Sequence, residues 1–403
     1  MPGDRRKEAS PSAPRLGLFV DAAFRSEGGR VWSGGELLGF GTFAAAVGAE
    51  FGRFLLIGRE SDDAEATPFP LPEGVEHFPL PFYPSLRRLG AVLVAAPATA
   101  RALWRALDEV DLVWLSAANP VALLLAGLAR LRRKRVAVLV RQDTMAYYRN
   151  RLPSRAWAPL LAPLWLVDRL FHRLARRHPT TVVGAQIASS YGAPRPGLLG
   201  FEVNLIAAGR IPATPPGRPW GDRVGLLTVG RIEPEKSPAV LVEALAELDR
   251  AEPGRFHSTW AGEGRLRDDL RARAERAGLG AQLELPGFVP FGEPLFRLYR
   301  EADAFVHVAL TEGVPGVICE AMASGLPIVA TDVGGIRAAT GDGAAALLVP
   351  PGDPAALAAA VRRLAAEPEL RERLASAGLE LARRSSLDVE SVRVASFLQT
   401  GQA

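Results

Sequence analysis

Glu312 and Glu320 are the residues whose type and spacing first suggest chemistry in this chain. They frame a turn, Gly313-Val314-Pro315-Gly316-Val317, in which glycines and a proline break regular structure. Before it, Ala304 to Leu310 is a short apolar run bounded by polar residues, which reads as a buried strand. After it, Ile318 to Ser324 restarts the chain as a short amphipathic helix that stops at Gly325 and Pro327, and Pro327 to Ala330 is a second strand. Strand, glycine-rich turn, helix and strand together leave unpaired N–H groups at a helix N-terminus, where a phosphate or another anion binds. Both carboxylates would stand near the C-terminal edge of a parallel sheet, the edge at which α/β proteins hold ligands. A lone Glu is usually a solvated surface residue. Two of them with this turn between favour a site.

The elements that must position them recur along the chain. Ahead of the Glu312 region, Arg223 to Val229 reads as a strand ending at Gly230-Arg231, with Lys236 close behind. Ser237 and Pro238 then make an N-cap and first helical position for a helix reaching Arg250. Phe256 to Trp260 is a strand followed by Gly262-Glu263-Gly264 and a helix to Ala277, and Leu283 begins a strand that ends at Gly287-Phe288-Val289. Ala345 to Val349 is the last strand, and helices over 354–366, 369–383 and 388–399 close the chain.

The first half repeats the alternation with weaker punctuation. Strands are expected at Leu16 to Val20, Phe54 to Ile57, Leu112 to Leu115, Arg135 to Val140 and, as the last of this half, Thr180 to Val183. Helices are expected over 36–50 and 120–131. From Asp21 the chain is read as a loop carrying the pairs Gly28-Gly29 and Gly34-Gly35. Alternating strands and helices predict a doubly wound parallel sheet. The 403 residues suit two such domains. The boundaries read as a disordered tail over 1–14, a first domain over 15–210, a Pro- and Gly-dense linker over 211–222, a second domain over 223–385, and a helix over 386–403 returning toward the first.

From Glu312 to Gly335, the order Glu, seven residues, Glu, then Ala-Met-Ala-x-Gly-x-Pro-Ile-Val-Ala and a Gly-Gly pair resembles the donor-binding signature of retaining GT-B glycosyltransferases, family 4, glycosyl transferases group 1. The resemblance covers residues 223–383 at motif level and the first half in element order. It implies two Rossmann-like domains facing a cleft, a nucleoside diphosphate sugar as substrate, and transfer to an acceptor hydroxyl with retention of configuration in cell-envelope glycan, glycolipid or polysaccharide synthesis. It implies no cofactor and no metal: no Asp-x-Asp motif occurs, and Arg231 with Lys236 would neutralise the leaving diphosphate.

Carried over position by position, Arg231, Lys236 and Glu312 are the catalytic candidates. Gly230, Gly262, Gly287, Phe288, Val289, Gly313, Val314, Pro315, Gly316, Val317 and Glu320 join them in holding the donor. Gly34, Gly35, Arg141 and Asp143 form the acceptor and diphosphate side. Many family members have a histidine near Arg141-Gln142-Asp143, and this chain has none there. Ser237 stands where Gly is commoner, and Ala338 where an acid is common. The alternatives from other classes are a catalytically silent sugar-nucleotide-binding subunit or scaffold and a GT-B sugar-nucleotide epimerase. A nicotinamide enzyme is not expected, since no strand end carries Gly-x-Gly-x-x-Gly.

Charge separates the halves: residues 1–220 hold 28 Lys and Arg against 18 Asp and Glu, and residues 221–403 hold 20 against 26. Most of the excess lies between Arg130 and Arg177. In residues 147–178, aromatics alternate with arginines, and Leu166 to Arg177 has an apolar face beside a basic one. That pattern fits either a peripheral helix meeting anionic membrane or a core-facing helix with solvated arginines. A membrane contact would make a lipid-linked acceptor natural, and nucleic acid is not expected as a partner. The single cysteine, Cys319, excludes an internal disulfide, and the charged N-terminus lacks the apolar core of a signal peptide, so a cytoplasmic protein is expected, peripheral at the inner face of the membrane if it meets lipid.

Overall fold

The computed structural model describes residues 13–402 apart from 87, 117, 143, 146–160, 193–194, 218 and 314–315. The chain forms two α/β units, residues 1–203 with 390–403 and residues 204–389.

In the first unit the strands are β1 Arg15–Glu27, β2 Arg30–Ser33, β3 Arg53–Glu60, β4 Phe69–Pro70, β5 Glu76–Leu80, β6 Leu112–Ser116, β7 Arg135–Val140, β8 Thr180–Val183 and β9 Leu198–Phe201. Seven of them make a parallel run in the order β5-β3-β1-β6-β7-β8-β9. Every residue of β6 is buried, as expected for a central parallel strand covered on both faces. One face is covered by helices Leu89–Glu109, Pro120–Leu131 and Ala162–Arg177, whose Leu103, Leu125 and Phe171 share a core with Val113 and Val138 of the sheet.

Three readings of this half are corrected. Residues 21–33 are not a loop: β1 runs on to Glu27 and returns antiparallel as β2. Gly28 and Gly29 turn the chain with φ of 58° and 74°, a conformation that a two-residue hairpin requires and a Cβ opposes. Thr180–Val183 is not the last strand, because β9 pairs beyond it. The helix after Gly34 spans Gly35–Gly48.

The second unit is wholly parallel. Its strands are β10 Val224–Val229, β11 Phe256–Ala261, β12 Leu283–Gly287, β13 Ala304–His307, β14 Ile328–Thr331 and β15 Ala346–Val349, in the order β12-β11-β10-β13-β14-β15. That is a doubly wound order, in which the strand sequence reverses at β10 and β13 and the ends of these two strands open a place for ligand. Helices include Pro238–Ala251, Arg267–Arg276, Glu293–Glu301, Gly316–Ala323, Pro354–Ala366 and Pro368–Arg384, and the last helix, Leu387–Thr400, starts in this unit and belongs from residue 390 to the first.

The stretch read as a linker, 211–222, belongs to this unit. Ile206 and Ile211 are buried in one cluster with Phe305 and Met322, contributing about 1.5–3 kcal/mol each. The Arg383 guanidinium donates to the carbonyl of Ala213 at 2.7 Å, and Trp220 packs on the core beneath Arg371. Proline and glycine there set an irregular path over a core, and the units divide earlier, after Val203.

Candidate functional site

The second unit gathers its chemistry-bearing residues at the C-terminal ends of β10 to β13. Beyond β10 and β11, the Gly230 N–H donates to the Ala261 carbonyl at 3.0 Å and the Gly262 N–H to that of Gly287 at 2.8 Å. A Cβ on Gly262 would lie 1.9 Å from the Gly230 carbonyl oxygen, so glycine is what allows these two turns to touch. Trp260 braces them, its Nε1–H donating to the same Gly230 oxygen at 2.9 Å.

Two further backbone contacts bring the Lys236 loop to the Glu312 turn. The Leu310 N–H donates to the Glu235 carbonyl at 2.8 Å, and the Gly335 N–H to the Gly313 carbonyl at 3.1 Å. Gly334, at φ 55°, packs so closely that a Cβ there would stand 1.9 Å from the Glu312 carbonyl oxygen. The Gly-Gly pair of the motif therefore acts as the support on which the Glu312 backbone rests.

At the centre, Glu312 Oε2 accepts from Lys236 Nζ and lies 3.0 Å from His307 Nε2. Oε1 accepts from the Gly313 N–H at 3.2 Å. The Lys236 and Glu312 side chains are 15% and 16% exposed, low enough for their charges to act on each other with little screening. Burial raises the Glu312 carboxyl, but the hydrogen bond from His307 and the charge of Lys236 outweigh it and bring the group down to about 2. His307 is lowered, by burial first and by the Lys236 charge as well, so the neutral ring donates Nε2–H to the carboxylate. The site thus holds a fixed carboxylate beside a fixed ammonium, able to accept from hydroxyls and to meet an anion.

Glu320, on the helix Gly316–Ala323, has the opposite surroundings. It is buried, accepts from the Tyr299 hydroxyl at 2.8 Å, and is raised by burial against the effect of that bond. Tyr299 is itself raised well above its ordinary value by burial and the neighbouring carboxyl.

The structure places the other candidates as follows. Arg231 follows the strand end, its side chain turned outward, 70% exposed and paired with Glu235 at 2.8 Å. Phe288 is exposed beyond β12, while Val289 packs on the core. Gly316 and Val317 start the helix that carries Glu320. Val314 and Pro315 lie outside the described residues, as does Asp143. Gly34, Gly35 and Arg141 belong to the first unit: Gly34 caps the helix Gly35–Gly48, and the Arg141 guanidinium lies 4.3 Å from the Phe40 ring centre.

Two sequence readings are resolved here. Ser237 occupies the N-cap position, yet it adopts φ 43° and ψ 55° and makes no side-chain cap bond, which accounts for Gly being commoner there. Of the two readings of the helix within 147–178, the core-facing one holds for Phe171, which is buried in the core. His307 was passed over: one histidine in an apolar strand has no partner at metal spacing to mark it, and its place five residues before Glu312 was the available signal.

Residues 223–367 match the profile of the family described as glycosyl transferases group 1. This segment is a glycosyl transferases group 1 domain. The chain is 39% identical over 170 residues to a D-inositol 3-phosphate glycosyltransferase of Thermomonospora curvata, a match covering 40% of this chain and 39% of the relative. It is 37% identical over 155 residues to the alpha-D-kanosaminyltransferase of Streptomyces kanamyceticus, covering 38% and 39%. The chain thus matches about two fifths of the length of these curated relatives. Over 96% of its length it shares the fold of Anabaena HepE in complex with UDP (TM-score 0.67, 19% identity, all of that chain). It also shares that of WaaG, a glycosyltransferase involved in lipopolysaccharide biosynthesis (0.67, 16%, all of that chain). Each of the two units, the second of which contains the group 1 segment, is thus a Rossmann-like α/β domain, the fold shared with these structures.

Proposed function

We propose that this protein is a glycosyltransferase that moves a sugar from a nucleoside diphosphate to an acceptor hydroxyl, with retention of configuration and without a metal ion, in building cell-envelope glycans or glycolipids. The observation that carries this reading is the Lys236–Glu312–His307 cluster at the strand ends of the group 1 domain. The names of the relatives, both glycosyl-transferring enzymes, support it.

The leaving diphosphate gains negative charge as the glycosidic bond breaks, and a positioned ammonium stabilises that charge. Lys236 is the cation so positioned. Until donor arrives, its charge is held by Glu312; the diphosphate then shares the ammonium, and the Glu312 carboxylate, ionised through the working pH range, accepts from sugar hydroxyls. Glu320, fixed by Tyr299, takes the ribose hydroxyls. The acceptor hydroxyl attacks from the face the diphosphate leaves and its proton passes to the departing diphosphate oxygen, so no protein nucleophile is required, and the rate comes from positioning and charge stabilisation.

The test is a thermal-shift panel of UDP, GDP, ADP and dTDP with their sugars, on wild type, Lys236→Ala and Arg231→Ala. One nucleotide series at about 100 times its dissociation constant is expected to add ~2.7 kcal/mol to the wild type, with the effect lost in Lys236→Ala. No series stabilising the wild type would overturn the donor site. Donor stabilisation without turnover on any acceptor hydroxyl would favour the silent binding subunit. Turnover insensitive to EDTA, with the donor's anomeric configuration kept in the product by NMR, checks the remaining two points.

A further inference from the structure

The outer faces of the three helices Leu89–Glu109, Pro120–Leu131 and Ala162–Arg177 are alike in a way no single segment reveals. They cover one face of the first unit's sheet and share one core. Each carries the chain back from the end of one parallel strand to the start of the next, so all three run against the strands and begin at the sheet's C-terminal edge. Their starts form a level, and residues 89–98, 120–126 and 162–167 hold no charged side chain.

What these starts show to solvent is apolar. Leu93 and Val94 are 72% and 84% exposed, and Leu124, Trp165 and Leu166 are exposed on the other two helices. Further along each helix the outer face turns to arginine: Arg101 and Arg105, then Arg130, then Arg169, Arg173 and Arg176. At 1.5 Å per residue the cations stand about 4–18 Å further along the axes than the apolar groups. The acids of these helices are already engaged, Asp108 by Arg132, Glu109 by Arg53 and Asp168 by His172. Arg101, Arg105, Arg130, Arg173 and Arg176 face no acid at ion-pair distance among the described residues. Trp104 and Leu131 are exposed among the arginines, Trp104 beneath the guanidinium of Arg132 at 4.6 Å.

We infer that this three-helix layer is a docking face for an anionic lipid bilayer. A protein partner would match an apolar centre ringed by polar residues. Here exposed apolar side chains and arginines are instead interleaved across three parallel helices, Arg169 lying 5.3 Å from the Trp165 ring centre and Arg88 heading the first helix, a mixture suited to the acyl boundary and phosphates of a membrane surface. The apolar side chains enter the boundary region, and the arginines of the same face meet the lipid phosphates. No described helix is long and apolar enough to cross a membrane, so the contact is peripheral. The inference stands apart from the proposed transfer reaction. It also widens the contact expected from residues 147–178, of which 147–160 lie outside the described residues.

The test is co-sedimentation of the full-length protein with phosphatidylcholine vesicles and with vesicles containing roughly 30 mol% phosphatidylglycerol. Binding to the anionic vesicles is expected, weakening with salt. Leu93→Asp with Val94→Asp should lower it about tenfold or more, and so should Arg173→Glu with Arg176→Glu, while thermal unfolding stays unchanged because these side chains are solvent-facing. Brominated lipid should quench tryptophan emission, and Trp165→Phe should reduce that quenching. Absence of sedimentation at low salt overturns the inference, as does binding indifferent to both double variants. Dimerisation abolished by Leu93→Asp with Val94→Asp would also overturn it, by assigning the face to a second copy of the chain.

Discussion

Glu312 and Glu320 belong to one motif, yet the fold treats them as different reagents. The first stands at the end of a loop with Lys236 and His307 against it and is held ionised down to about 2. The second is carried into the core by its helix, with a tyrosine hydroxyl as partner, and burial raises it. Neighbouring charge decides the first case and desolvation the second. A sequence pattern can name two carboxylates, but only their surroundings decide which one meets charge.

The largest expected difference is in turnover. Replacing Lys236 or Glu312 by Ala should lower kcat about 10²–10³-fold, while Glu320→Gln, which keeps an acceptor for Tyr299 and for a ribose hydroxyl, should cost under about tenfold. Steady-state kinetics with the donor identified by thermal shift reads both. Equal losses at 312 and 320 would break the distinction.

Stability should separate them next. Glu312→Gln leaves the Lys236 ammonium little exposed and without its counter-charge, and should destabilise by roughly 2–4 kcal/mol at pH 7. Glu320→Gln should stay within about 1 kcal/mol or stabilise. The pH dependence follows the same signs. A carboxyl brought from 4.5 to about 2 contributes stability above 4.5 that is lost as pH falls toward 2, on the order of 3 kcal/mol. His307, lowered from 6.5, works the same way, its contribution falling as pH drops below 6.5 and the unfolded ring takes up a proton. Glu320, raised, contributes at low pH and loses that contribution as pH rises through its folded value. Urea midpoints at pH 7, 5 and 3 should therefore show a smaller acid loss in Glu312→Gln than in wild type, and a larger one in Glu320→Gln.

The smallest effect is at Ser237, one residue from Lys236. Its left-handed backbone costs a non-glycine residue ~1 kcal/mol, and glycine returns part of that as chain entropy. Ser237→Gly should raise stability by about 0.5 kcal/mol in urea titration. A loss would mean the serine hydroxyl matters to the Lys236 loop.

Much of the second unit was legible because its strands are apolar runs closed by Gly and Pro: 223–229 was expected for Val224–Val229, and 354–366 for Pro354–Ala366. The glycines were legible as a motif but not as supports, since the contact of Gly334 with Glu312 depends on two turns meeting in space. The Lys236–Glu312 pair spans 76 residues and Arg231 turns outward, neither of which periodicity can report. In the first unit the hairpin was hidden because Asp21 to Ser33 mixes small, charged and aromatic residues without strict alternation. The helix Leu89–Glu109 was hidden because its start is apolar all round and contains Pro97. The surface that makes that helix unusual was therefore invisible until its neighbours stood beside it.

Gly334 touches no ligand in any reading offered above, yet it has less freedom to vary than the residues that would. Every side chain placed there would collide with the oxygen of Glu312, and the collision is with backbone, which has no rotamer to yield. In a library of all single substitutions scored for folding, position 334 should accept one letter, while exposed Arg231 accepts many. The grammar of this motif is thus strictest where the chain has no functional group at all.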